Sequence, residues 1–178
     1  MPTKLIKYLT LEDFEKIFKA EKERKYKLCY LLGFFSGLRI SEIIGLMENG
    51  KSEWKIKPLE SSQINLKTHQ IRIIGGKGMK DRITITPKSL TEEHLKLLPI
   101  SIPRRTLQDH FSKLAFKVLG KKMSFHTLRH GFGNFQANEK NLPLPMLQSL
   151  MGHSRIDTTG IYTRANPIQA IERAWENF

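Results

Sequence analysis

The sequence predicts a single α+β domain, mostly helical, with one small three-stranded antiparallel sheet. Three observations carry this. Stretches of helical apolar period fill most of the chain. Three short β-branched runs, "SQINL", "QIRII" and "RITIT", sit together at residues 62–86. The chain has 178 residues and 39% apolar content, enough for one core, with no repeat or low-complexity linker to divide it. One domain over 1–178 is expected.

The elements follow in order. "TLEDFEKIFKAEKE" opens on Thr10 as N-cap, with Asp13 as the acid three residues on, and lines up Leu11, Phe14, Ile17 and Phe18. "KYKLCYLLGFFSGL" is apolar nearly all round, which predicts a buried central helix breaking near Ser36-Gly37. "RISEIIGL" reads as a helix that buries Ile40, Ile43, Ile44 and Leu46. Residues 47–60 show no period and are expected to be a loop or irregular insertion. The three β-branched runs come next, the last two joined by the glycine-rich connector "GGKGMKD". Helices resume at "TLQDHFSKLAFKVLG" and "HTLRHGFGNFQANEK". "LPLPMLQSLMG" is a short helix entered through Pro145. The tail, 166–178, forms a last helix with Ile168, Ile171, Ala174 and Trp175 on one face. That face could cover a neighbouring protomer or its own domain.

Charge narrows the partner. Lys and Arg number 30 against 17 Asp and Glu, a formal charge of +13. Such an excess repels itself unless a polyanion offsets it. No apolar run nears the ~20 residues of a membrane span, and no lipidation or signal-peptide pattern stands out. Nucleic acid is the leading partner, with no membrane role. The lone Cys29 lies in an apolar run, cannot form an internal disulfide, and suits core packing in a reducing cytoplasm. One Cys and six scattered His argue against zinc, and no acidic cluster suits two-metal chemistry. No metal and no cofactor is expected.

Four local features bear on chemistry. In "GLRISE", Arg39 and Glu42 stand three apart on one helix face, directly after the Ser-Gly break. Alone they could be a surface ion pair; at the mouth of a core they suit a held anion. "GGKGMKDR" puts Lys77 on a hairpin tip. It is not a P-loop, because glycine follows the lysine and a strand follows the loop. "SFHTLRH" sets His126 and Arg129 on one face just past a helix start, beside free backbone N–H groups suited to phosphate. His130 reads as the core histidine of that segment. "LMGHSRIDTTGIYTR" ends a helix at Gly152, then brings His153 and, nine residues on, Tyr162.

Taken together, Arg, Lys, His-x-x-Arg, Gly-His and Tyr in this order resemble the catalytic domain of the tyrosine recombinase (phage integrase) superfamily. The matching text is "SGLRISEI", "GKGMKDRITITP", "FHTLRHGFG" and "LMGHSRIDTTGIYT", within about residues 28–164. The resemblance implies an enzyme that cleaves and rejoins double-stranded DNA by transesterification, through a 3′-phosphotyrosyl intermediate with a 5′-hydroxyl leaving. Tyr162 would match the nucleophile. Arg39 and Arg129 would match the arginines that grip the non-bridging oxygens. His126 would match the histidine near the nucleophile, Lys77 the donor to the leaving oxygen, His153 a second donor to the phosphate, and Glu42 the supporting acid. It further implies integration or excision of a viral or other mobile element, a homotetramer on DNA with a monomer off DNA left open, and work in the host cytoplasm or nucleoid. A type IB topoisomerase-like relaxing enzyme and a DNA-binding protein with lost chemistry stay as alternatives. The departures are the unmatched 47–60 segment, two glycines after "LRH" that should loosen a helix by ~1 kcal/mol each, and no room before residue 28 for the family's N-terminal core-binding domain.

Overall fold

In the computed structural model, residues 9–48, 53–75, 81–152 and 167–176 are described. Helix α1, Leu11–Ala20, starts as expected: the Thr10 hydroxyl accepts from the Asp13 N–H at 3.1 Å, and Phe14 and Ile17 turn inward. Helix α2, Arg24–Phe35, is buried continuously from Leu28 to Phe34. It ends because Gly37 adopts φ 64°, which a residue with a Cβ resists. Helix α3, Ile40–Ile44, stops one residue before Gly45.

The expected helix through Leu46 and the expected loop at 47–60 need correcting. Leu46–Met47 form strand β1, paired antiparallel with β2, Trp54–Ile56. The six-membered ring of Trp54 lies so close to Gly45 that a Cβ there would sit 2.5 Å from it. The hairpin is therefore set by a tryptophan packing across the chain, a signal with no sequence period.

The three-stranded sheet matches the expectation. Strands β3 (Ile64–Asn65), β4 (Gln70–Ile73) and β5 (Arg82–Ile85) lie antiparallel in that order, with Ile71 opposite Thr84 and Ile73 opposite Arg82. Because β side chains alternate, Arg82 and Thr84 share a face. The buried Thr84 hydroxyl donates to the Ser36 carbonyl at 2.8 Å, tying β5 to the end of α2. A short helix α4, Glu92–Leu95, precedes α5, Arg104–Leu119.

Helix α6, His126–Asn134, widens into one π-helical turn at Phe135–Glu139. Its first glycine does not loosen it. A Cβ on Gly131 would lie 2.6 Å from the Phe34 ring and 2.9 Å from the Leu9 carbonyl oxygen, so the glycine is what lets α6 press onto α2. Helix α7, Leu144–Met151, has Pro145 in its first turn and ends where Gly152 takes φ 63°. Helix α8 spans Pro167–Glu176.

Two buried clusters form the core. The larger joins α1, α2, α5 and α6, with Phe14 stacked on Phe34 at 4.4 Å. The smaller joins Ile85, Phe132, Leu147 and Leu150 to Ile171 and Ala174 of α8. Trp175 stacks on His69 of the β3–β4 turn. Helix α8 thus packs Ile171 and Ala174 onto its own domain. Cys29 is buried, and burial pushes its thiol pKa up. Among the described residues no helix is long and apolar enough to cross a membrane.

Candidate active site

The site forms around the break between α2 and α3. Arg39 is the N-cap of α3, and Glu42 reaches back to it twice. Glu42 Oε2 accepts from the Arg39 backbone N–H at 2.8 Å, and Oε1 accepts from the Arg39 guanidinium at 2.8 Å. The carboxylate fills one of the orphan positions at the helix start and orients the guanidinium with the same residue. The Glu42 side chain is wholly buried, while that of Arg39 keeps 19% exposure, so the arginine is the member that faces outward.

Two further guanidiniums converge here. Arg129, 2% exposed, donates through Nη1 to the Gly37 carbonyl and through Nη2 to the Met151 carbonyl. Arg82 donates through Nη2 to Glu42 Oε2 at 2.7 Å and through Nη1 to the Leu150 carbonyl at 3.1 Å. Leu150 and Met151 close α7, whose last carbonyls lack helical donors and carry the negative end of its dipole. The two arginines satisfy them.

The electrostatics favour an anion. Burial, and then the charges of Arg82 and Arg39, push the Arg129 pKa down. Burial also lowers Arg82, against the opposing pull of Glu42. Arg39 and Arg82 share the Glu42 carboxylate, and Arg129 lies within the influence of all three charges, leaving net positive charge in a largely water-excluded place. A phosphate placed there would relieve it.

His126 sits exposed at the start of α6, its ring edge-to-face with that of His130, centroids 4.5 Å apart. The sequence reading gave His130 the core role; it is only half-buried, and burial followed by Arg129 lowers its pKa. Lys77, His153 and Tyr162 lie outside the described residues. Their flanks are described: the Gly75 N–H donates to Asp81 Oδ1 at 2.9 Å across the base of the Lys77 segment, and Gly152 directly precedes His153. The structure thus brings Arg39, Glu42 and Arg129 together.

Arg82 was missed by the sequence reading. Its signal was present in "RITIT": period-2 alternation puts Arg82, Thr84 and Thr86 on one face, an odd place for an arginine unless it has a buried partner. The partner, Glu42, is 40 residues away and could not be paired from sequence. Among the described residues no group of three His, Cys, Asp or Glu could hold a metal ion.

A mostly helical α+β domain that gathers three guanidiniums near one carboxylate is a class of protein that offers an anion a site. The chain belongs to the phage integrase family, which matches it over residues 7–168. It is 31% identical to the tyrosine recombinase XerA of Pyrococcus horikoshii over 98% of this chain and 63% of that protein. The chain therefore spans under two thirds of that relative's length. Among solved structures it resembles the integrase from mycobacterium phage Brujita, with TM-score 0.69 and 21% identity over 98% of this chain and 60% of that one. It also resembles the lambda integrase catalytic core, with TM-score 0.58 and 17% identity over 86% of this chain and 95% of that one. The fold is that of a tyrosine recombinase catalytic domain.

Proposed function

We propose that this chain is the catalytic domain of a site-specific recombinase that cuts and rejoins duplex DNA for the integration, excision or resolution of DNA segments. The observation that carries the reading is the buried arginine cluster around Glu42. In this reading Arg39 and Arg129 bind the non-bridging oxygens of one phosphodiester, where charge grows as the phosphorus becomes five-coordinate. The Tyr162 oxygen attacks phosphorus, and the phenolic proton passes toward His126. The bond to the 5′-oxygen breaks, and Lys77 supplies that oxygen's proton. His153 donates to the phosphate. The phosphotyrosyl ester conserves the energy of the broken bond, so rejoining needs no nucleotide triphosphate.

Two other tyrosines, Tyr30 and Tyr26, suit the task poorly. Tyr30 is fully buried, its hydroxyl donates to Glu21 at 3.0 Å, and burial followed by the Glu21 charge raises its pKa. Tyr26 packs its ring against that of His110 on α5, centroids 4.3 Å apart. One structure with the same fold, 16% identical with TM-score 0.58, is a lambda integrase tetramer bound to a Holliday junction. It supports assembly of four protomers on DNA here.

The test is a duplex nicked close to the scissile phosphate, so that the cleaved end diffuses away and reversal fails. Incubated with varied sequences of this design, the wild-type chain should give a covalent DNA–protein band on a denaturing gel. No band across the series would contradict the reading. Relaxation of supercoiled plasmid without exchange between two sites would favour the topoisomerase alternative.

A further inference from the structure

We propose that Arg82 is a positioning residue of this site, one that locks Arg39 and Glu42 to the end of α7, which Arg129 also holds. The proposal rests on the recombinase reading above and goes beyond it, since Arg82 does not itself face the substrate. Its side chain keeps 8% exposure, and both terminal nitrogens already have partners.

Three connections meet at this one side chain. Through Glu42 it reaches Arg39: the carboxylate gives Oε1 to one guanidinium and Oε2 to the other, so neither can shift without moving the shared acid. Through the Leu150 carbonyl it holds the end of α7, beside the Met151 carbonyl that Arg129 holds. Two residues beyond Met151 the sequence reaches His153. Through its own backbone Arg82 opens β5, paired with Ile73 of β4, and the segment between these strands carries Lys77. The stem of Arg82 also runs against Gly152. A Cβ on that glycine would collide with Arg82 Cδ and lie 2.9 Å from its Nε. The glycine before His153 is thus fitted to Arg82 as well as to its own positive φ.

Charge gives a second argument. Arg39, Arg82 and Arg129 against Glu42 leave a net of two positive charges. A phosphodiester carries one negative charge and its five-coordinate transition state two. Arg82 adds a positive charge near the place where the transition state gains its extra negative charge. Loss of Arg82 should therefore slow cleavage while leaving DNA affinity intact.

The experiment measures single-turnover cleavage on the nicked duplex, DNA affinity and thermal melting. The chains are wild type, Arg82→Gln, Arg82→Lys, Glu42→Gln and the double Arg82→Gln/Glu42→Gln. A misplacement of ~1 Å costs about 10²-fold, which sets the loss expected for Arg82→Gln at unchanged affinity. Arg82→Lys restores charge but cannot bridge Glu42 and Leu150 together, so it should recover only part of the rate. Because Arg82 acts through Glu42, the double variant should be no slower than the slower single one. If Arg82→Gln does not fold, the partial loss in Arg82→Lys carries the test. Wild-type rates in the folded Arg82 variants, or deficits that multiply in the double variant, would overturn the proposal. If wild type cleaves and Arg82→Gln matches it, only the Arg82 role fails. If wild type never forms the adduct, the recombinase reading fails and takes this role with it.

Discussion

At the scale of single residues, the domain places its polar side chains where several backbone groups need one partner. Glu21 does for the α1–α2 corner what Glu42 does for the site. It is 4% exposed, and its Oε1 accepts from the N–H groups of Lys22 and Glu23 at 2.8 and 2.9 Å. Its Oε2 accepts from Tyr30 and pairs with His110 at 2.7 Å. Burial alone would raise its pKa. The hydrogen bonds from Glu23, His110, Lys22 and Tyr30 outweigh burial and hold it below 4.5. A depressed carboxylate contributes stability that is fully present above the unfolded value and is lost as pH falls through the folded value. Acid melting curves should therefore show a loss of stability setting in below about pH 4.5. Glu21→Gln should cost about 2 kcal/mol at neutral pH and flatten that acid dependence. An unchanged acid profile in Glu21→Gln would show that another group is responsible. Glu21 could not be singled out from sequence, because its partners Tyr30 and His110 lie 9 and 89 residues away.

At the scale of elements, the glycines after "LRH" separate propensity from packing. Both cost a free helix stability, and both were read that way from sequence. The structure divides them. Gly131 faces the Phe34 ring and the Leu9 carbonyl, whereas a Cβ on Gly133 would meet only Met151, at 3.5 Å. Gly131→Ala should destabilise the domain by ~1–3 kcal/mol as α6 is pushed off α2. Gly133→Ala should stabilise it by ~0.5–1 kcal/mol through helix propensity. Denaturant midpoints of the two variants check this, and equal effects would contradict it. The same distinction explains what was legible. Elements with a sustained period, α1, α5 and the β3–β5 sheet, could be read directly, and α2 from its long apolar run. The β1–β2 hairpin could not, since its two short strands depend on Trp54 meeting Gly45. Nor could the four-residue α4, too brief to show a period.

At the scale of the whole molecule, the family was legible in short blocks of sequence. Arg39, Glu42, His126 and Arg129 sit within such blocks, where spacing alone places side chains together. What stayed hidden was the wiring between blocks: Arg82 onto Glu42, and both buried arginines onto the end of α7. The charge of +13 belongs to this scale too. Each phosphate neutralised adds ~0.9 to the slope of log affinity against log salt, so DNA binding should weaken steeply between low and physiological ionic strength. A titration by fluorescence anisotropy at several salt concentrations measures the slope. A nearly flat line would mean that the basic residues do not meet the DNA backbone.

The central claim is that Tyr162 becomes covalently joined to DNA, and mapping the joined residue tests it most directly. The adduct formed on the nicked duplex is digested with nuclease and trypsin, and the nucleotide-bearing peptide is fragmented in a mass spectrometer. Cleavage after Arg155 and Arg164 releases the peptide "IDTTGIYTR", with one tyrosine in it. The account predicts the phosphate on Tyr162 of that peptide, and no adduct at all from Tyr162→Phe. A phosphate on Tyr8, Tyr26, Tyr30 or a serine, or an adduct that persists in Tyr162→Phe, would contradict it.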